Sequence, residues 1–210
     1  MEEEYDIVAA TEQDEERIAE YLRQHFFQYE PLNMGFEVPS NRPNSAMKFL
    51  QCLKEGSSLM AITKSGLIIG VAINGECKRN HKTIKTKPFH ESYGRLLNFV
   101  DKVEENSDVW KRTGADTSLY IKILSVAPIA GGRGIGKKLV KLSIEIAKSK
   151  GFPFIWAMCS SHYSAKICRS LGMESIYRIK YKENKNEAGV PEFLPPAPHT
   201  EAHIVMMKFA

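Results

Sequence analysis

Gly131, Gly132, Gly134 and Gly136, with Arg133 among them and Lys137 and Lys138 directly after, are the residues of this chain best suited to holding an anion. Bare glycine backbone lets N–H groups approach a ligand with no Cβ in the way, and the positive end of a following helix adds to their field. The chemistry on offer is a phosphate cradle. Two familiar cradles can be tested against the spacing. The pattern G-x-x-x-x-G-K-S/T fits from Gly131 to Lys137, but Lys138 stands where a hydroxyl should ligate Mg²⁺, which argues against a nucleotide hydrolase. The dinucleotide pattern G-x-G-x-x-G fails, because the glycines here run G-x-G-x-G. A glycine-rich β–α connection with no ligand is the plain structural alternative.

Other residues able to do chemistry are scattered. Cys159 closes an apolar run and invites a covalent acyl-enzyme, but no partner base is dedicated to it, so it also reads as a buried strand thiol. His162 titrates near physiological pH, though an aromatic-flanked histidine at a strand–helix turn is as often structural. Ser160 and Ser161 suit a helix N-cap as well as a proton relay. Glu30 follows a helix and precedes Pro31, on a bend where an exposed carboxylate is also the ordinary outcome.

The elements that must position these groups follow from pattern. Leu119–Val126, LYIKILSV, is a β-branched apolar strand stopped by Pro128, and Lys137–Lys148 is an amphipathic helix with Leu139, Leu142 and Ile146 on its stripe and Val140 and Ala147 at its edge. Strand, glycine loop and helix N-terminus make one unit. Upstream come a strand at Tyr5–Ala10 and a helix capped by Thr11, reaching about Phe27 and burying Ile18, Tyr21, Leu22 and His25. A second helix is predicted at Ala46–Lys54. A hairpin follows, Leu59–Thr63 and Leu67–Gly75 about Lys64-Ser65-Gly66. A helix near Tyr93–Glu105 leads into the central strand. Downstream lie a strand at Phe154–Cys159, a helix at Ser164–Leu171 closed by Gly172, and strands at Tyr177–Tyr181 and Ala202–Phe209 around a proline-rich excursion. This order predicts an α+β fold, a mixed sheet covered by helices, in a single domain over residues 1–210.

Composition narrows the class. The 210 residues are 43% hydrophobic and 26% charged with a net charge of +4, ordinary for a globular chain, and no run approaches a membrane span. The four cysteines show neither C-x-x-C nor zinc spacing, so reduced thiols in the cytoplasm and no metal are expected. Lys78, Arg79, Lys82, Lys85 and Lys87 form a basic run with no interleaved aromatic residues, which reads as a solvated loop rather than a nucleic-acid site. No heptad or long apolar edge appears, and a monomer is expected.

Four stretches together carry a family resemblance. The glycine run resembles the acyl-coenzyme A loop of the GNAT acetyltransferases, Gln/Arg-x-x-Gly-x-Gly/Ala, with Gly134 and Gly136 at its last two positions and Gly131 where that family has Arg or Gln. Cys159-Ser160-Ser161-His162-Tyr163-Ser164-Ala165 followed by Leu171-Gly172 resembles a segment of the insect-type arylalkylamine (dopamine and related) N-acetyltransferases. Glu30-Pro31-Leu32 is similar to that family's E-P-L motif, and Pro195–His199 to its P-x-A-P-H segment. The resemblance implies a GNAT acyl-CoA N-acyltransferase fold with acetyl-CoA as co-substrate. It implies direct attack, in a ternary complex, by a small-molecule primary arylalkylamine of the dopamine, tyramine, octopamine or serotonin class. It makes Glu30 the general base and Ser160 and Ser164 the proton relay, with Ser160 or Tyr163 placed to protonate the departing thiolate. It puts the pantetheine arm on the backbone of Leu124, Ser125 and Val126, and the pyrophosphate on Gly132, Arg133, Gly134, Ile135, Gly136 and Lys137. Tyr29, Phe36 and Phe193, all in predicted loops, are candidate pocket walls. Gly131 leaves one fewer side chain to buttress the pyrophosphate, with Arg133 two residues on. Another acceptor (a polyamine or a protein amine), a longer acyl-CoA, or a non-catalytic CoA-binding module are the alternative readings.

Overall fold

Strands form where β-branched and apolar residues run together: β1 (Tyr5–Ala9), β2 (Leu59–Thr63), β3 (Ile68–Lys78), β4 (Thr117–Val126), β5 (Phe154–Cys159), β6 (Glu174–Lys180) and β7 (Glu201–Lys208). The computed structural model describes residues 3–34, 43, 47–79, 88 and 90–209. The strands make one mixed sheet in the order β1-β2-β3-β4-β5-β7-β6, in which only β4 and β5 are parallel neighbours. Helices α1 (Glu15–His25), α2 (Glu91–Asn106), α3 (Val109–Thr113), α4 (Ile135–Ser149) and α5 (His162–Ser170) cover both faces. The predicted α+β arrangement is the one observed.

One face is covered by α4 and α5. Leu139 and Ile135 pack on Leu59, Ala61, Ile69 and Ala72, while Val140, Ile144, Ala165 and Cys168 pack on Leu119, Ile121, Ile155 and Ala157. The opposite face carries α1 and the 3-10 segment Lys48–Glu55 over Met60, Val71 and Ile73, and α2 and α3 over Phe154, Trp156 and Ile204. Leu139 is fully buried, so cutting it to alanine would cost about 2–5 kcal/mol.

The feature that organises the site is where β4 and β5 part. They pair only through Leu119–Ile121 and Ile155–Ala157. Beyond Ile121, β4 continues to Val126 on β3 alone, while Met158 and Cys159 of β5 stay with β7. A bulge starts the divergence: Ile121 faces Asn74 and Ile123 faces Ile73, leaving Lys122 as an extra residue in β4. Asn74 anchors the bulge, its side-chain amide donating to Ser57 O and to Ser143 Oγ of α4, both at 2.8 Å.

Several boundaries differ from the sequence reading. After Thr11, whose N–H and hydroxyl both donate to Asp14 Oδ2 at 3.0 Å, the chain makes a 3-10 turn before α1, which ends at His25. The predicted helix at Ala46–Lys54 is the 3-10 segment Lys48–Glu55, with Ala46 outside the described residues. β3 runs on to Lys78, so the basic run begins in a strand, and Lys82, Lys85 and Lys87 lie outside the described residues. Helix α4 begins two residues before the predicted Lys137, and its buried stripe is Leu139, Val140, Ser143, Ile144 and Ala147, with Leu142 and Ile146 only half-buried. The short α3 was not foreseen.

Candidate functional site

The glycine run joins β4 to α4 as a phosphate cradle requires. Gly134 is the N-cap of α4, with φ +74°, and Gly132 has φ +78°, both in the left-handed region that glycine enters without strain. A Cβ on either would meet no atom within 4 Å, so the loop's bare side opens outward. The first N–H groups of α4, from Ile135, Gly136 and Lys137, have no acceptor within the helix and sit at its positive end. Gly136 serves packing instead: a Cβ there would lie 3.1 Å from Ile167 Cδ1, so it lets α4 approach α5. Gly131 donates its N–H to Pro128 O at 3.1 Å and takes an ordinary extended conformation. Arg133 leans toward the chain's start, with Nη2 donating to Glu3 O at 2.6 Å and the guanidinium 5.0 Å over the Tyr5 ring. Lys138 joins it there, its Nζ donating to Tyr5 Oη at 2.8 Å. Backbone rather than a first-position arginine therefore forms this cradle.

Leu124, Ser125 and Val126 lie in the stretch of β4 that has lost β5, so one strand edge is open beside them. The Ser125 side chain is buried, its hydroxyl 3.2 Å from that of Tyr21 on α1. Burial pushes the Tyr21 phenol up to about 12, against the pull of its hydrogen bonds with Ser125 and Ala127, so it stays protonated. Tyr21 was read from the sequence as core only, and its hydroxyl is what ties α1 to the open strand.

Glu30 sits on the turn after α1. Its Oε1 accepts from Leu32 N at 3.3 Å, its N–H donates to Phe26 O, and Asn33 Nδ2 locks the turn from beneath by donating to Phe27 O at 2.8 Å. The second turn of interest follows β5. Ser161, not Ser160, caps α5, accepting from Tyr163 N at 3.1 Å, and the helix starts at His162, two residues before the predicted Ser164. Ser164 spends its hydroxyl on Ser161 O at 2.9 Å. Tyr181 bonds the second turn and lies in the same core cluster as Leu32 of the first. It is 2% exposed, its Oη donates to Ser160 O at 2.6 Å, and burial first and the Glu30 charge second push its phenol well above the ordinary value. Sequence reading placed Tyr181 at a strand end and missed this; a contact 21 residues apart leaves no local signal.

His162 and Tyr163 are exposed, Tyr163 by 59%. His199, in the proline-rich segment, accepts from His162 N through Nδ1 at 3.2 Å and meets the Tyr163 ring edge-on at 5.6 Å. Burial first, then the neighbouring His162, holds His199 below the usual histidine value, which suits an acceptor nitrogen. Cys159 is buried with its sulfur 4.0 Å from that of Cys168, a thiol pair rather than a nucleophile with a base. Phe193 is 2% exposed and packs 4.9 Å from Phe99, so it belongs to the core rather than to a pocket wall. Tyr29 is 51% exposed, and Phe36 lies outside the described residues. Two concavities lie among the described residues near Tyr181 and α5. One of about 660 Å³ lies beside Tyr181, His199 and Leu194, and one of about 450 Å³ lies between α5 and His203.

Residues 105–173, which hold β4, the glycine loop, α4, β5 and α5, match the acetyltransferase (GNAT) family. The chain carries a GNAT acetyltransferase domain. It is similar over nearly its whole length to solved structures of such enzymes. The arylalkylamine N-acetyltransferase 2 of Aedes aegypti superposes with a TM-score of 0.90 at 28% identity, covering 98% of this chain and 99% of that one. A mosquito arylalkylamine N-acetyltransferase like 5b gives 0.87 at 21% identity, covering 98% and 100%. The polyamine N-acetyltransferase of Drosophila melanogaster gives 0.83 at 21%, with the same coverages. The last two show the shared GNAT fold. Acetyl-CoA is the acyl donor of this family, and the open, outward-facing backbone at Gly132 and Gly134 fits its pyrophosphate. Among the described residues no group of three or more His, Cys, Asp or Glu gathers to hold a metal, and no helix is long and apolar enough to cross a membrane.

Proposed function

We propose that this GNAT enzyme acetylates a primary arylalkylamine, with Glu30 as general base. The observation that carries the reading is that Tyr181 hydrogen-bonds the Ser160 turn and shares a core cluster with Leu32 of the Glu30 turn, so that both turns meet one side chain. Similarity to the Aedes enzyme over the whole chain supports the acceptor class and a single domain over residues 1–210. The polyamine enzyme matches in fold alone and does not redirect the acceptor.

Acetyl-CoA supplies a thioester carbonyl open to attack by an amine. The chain's residues do the rest. Gly132, Gly134, Ile135, Gly136 and Lys137 hold the pyrophosphate through backbone N–H groups, with Arg133 at the rim. The open edge of Leu124, Ser125 and Val126 receives the pantetheine arm, and Tyr163, exposed in the first turn of α5, is a further contact for the cofactor. A free amine is required, and an ammonium with a pKa near that of lysine, about 10.4, is almost wholly protonated at neutral pH. Glu30 takes that proton, directly or through water. The amine nitrogen then bonds the carbonyl carbon and the C–S bond breaks; Ser160 relays the second proton lost by that nitrogen to the leaving sulfur, and Ser164 supports the turn through Ser161. The enzyme works as a monomer in the cytoplasm, a setting that suits its four free thiols.

The test is release of CoA thiol from acetyl-CoA with arylalkylamines, polyamines and a lysine peptide. Turnover confined to arylalkylamines is expected, and turnover on polyamines or peptide alone would overturn the acceptor class. Replacing Glu30 by Gln should lower kcat/KM at neutral pH by about 10²-fold, within the range for general-base catalysis, and the loss should shrink at high pH as free amine accumulates. Equal activity of parent and variant from pH 6 to pH 9 would remove Glu30 from the mechanism.

A further inference from the structure

Tyr181 carries a buried hydroxyl bonded to one turn of the proposed site, and its ring lies in the same core cluster as Leu32 of the other. The residue opens the 3-10 turn after β6, and its N–H donates to Thr200 O at 3.1 Å. Its ring packs in the core 6.1 Å from Phe99. The backbone on either side is thus fixed, and the phenol projects from a rigid base toward the Ser160 turn. There it donates to a backbone carbonyl, at 2.6 Å, in the last residue before the α5 cap. A hydrogen bond to backbone constrains the turn itself, so where Ser160, Ser161 and the mouth of α5 sit depends on that oxygen. The Glu30 charge lies near enough to disfavour ionisation of the phenol, and the Cys159 thiol acts in the same direction. Neutral and buried, the phenol donates its single proton to Ser160 O. Within its own turn, Glu30 Oε1 accepts from Leu32 N.

We infer that Tyr181 is a positioning residue for acetyl transfer: its hydroxyl holds the Ser160–Ser161 turn in register with the turn that carries Glu30. The inference rests on the proposed role of Glu30 and adds to it the group that sets the distance between base and relay. Misplacement of reacting groups by as little as an ångström costs rate without costing donor binding, because the acyl donor is held elsewhere, on the glycine loop and the edge of β4.

The experiment is Tyr181→Phe, which keeps the ring in the core and removes only the oxygen, made alone and together with Glu30→Gln. The expected result for the single variant is a kcat lowered about tenfold, as the loss of one well-formed hydrogen bond would give, with KM for acetyl-CoA close to the parent's and the melting temperature lowered by no more than about 2–4 °C. In the Glu30→Gln background the same change should cost less than about threefold, since the two act on one step. A Tyr181→Phe enzyme within twofold of the parent, beside an impaired Glu30→Gln enzyme, overturns this inference alone. An equal tenfold loss in both backgrounds overturns it too, assigning Tyr181 to packing. A fully active Glu30→Gln enzyme overturns the base assignment and this inference with it.

Discussion

Three serines within five residues, Ser160, Ser161 and Ser164, do three different things, and the difference is one of hydrogen-bond geometry. Ser161 Oγ accepts from Tyr163 N as the cap of α5, Ser164 Oγ donates back to Ser161 O, and Ser160 contributes its carbonyl to Tyr181. The roles separate stability from rate. Ser161→Ala removes a cap worth about 1 kcal/mol and should lower the melting temperature by about 2–4 °C for a chain this long. Ser160→Ala leaves the cap and the Tyr181 bond intact, so it should leave the melting temperature unchanged and lower kcat. Thermal denaturation of both variants beside their initial rates checks the split. A Ser160→Ala enzyme with full kcat would take its hydroxyl out of the relay. The same stretch marks where the sequence was legible and where it was not. C-S-S-H-Y-S-A identified the segment, but with no acidic partner three residues on to pick out the cap, nothing local says which serine starts the helix.

At the scale of elements, β4, the glycine loop and α4 act as one device, and its glycines are not equivalent. Gly134 sits at φ +74° with open space around it, so Gly134→Ala meets no clash and costs backbone strain alone, about 1–2 kcal/mol. That strain falls on the N–H groups of the proposed cradle. The variant should therefore bind CoA severalfold more weakly in a calorimetric titration, with the amine KM unmoved. Gly136→Ala keeps helical φ and crowds only the flexible end of Ile167, so its effect on CoA should be smaller. The reverse order of effects would place the phosphate on the packed side of the loop. This device was readable in advance because its signals are local: an apolar β-branched run, glycines, then period-3.6 apolar residues. Elements held by distant partners were not. Helix α3 has five residues, too few for a period, and the 3-10 form of Lys48–Glu55 has the same apolar spacing as an α-helix. The parting of β4 from β5 depends on the bulge at Lys122, which follows from pairing with Asn74 on another strand rather than from any residue near it.

For the whole molecule, the β6–β7 edge of the sheet sets how the fold responds to acid. His203 on β7 is 7% exposed, with Nδ1 2.8 Å from Ser175 Oγ of β6 and Nε2 3.2 Å from Glu201 Oε1. Burial is the largest influence and lowers its value below the usual 6.5, Glu201 opposes, and Arg169 of α5 and Arg178 of β6 add to the lowering. His199 is lowered as well, by burial and then by His162. A histidine whose folded value lies below its unfolded value takes up its proton more readily when unfolded. Above the unfolded value, near pH 6.5, both states are neutral and the native edge is fully stable; as pH falls through that value toward the folded one, protonation of the unfolded chain draws the equilibrium away from the native state. The melting temperature should accordingly decline from pH 7 toward pH 5. His203→Gln, which keeps a polar side chain between β6 and β7 without a titrating group, should flatten that decline while lowering the melting temperature at pH 7. A variant as acid-sensitive as the parent would move the effect to His199 and the contact it makes with the mouth of α5. Stability and turnover would then fall together on acidification, because that contact belongs to the proposed catalytic end of the sheet rather than to its edge.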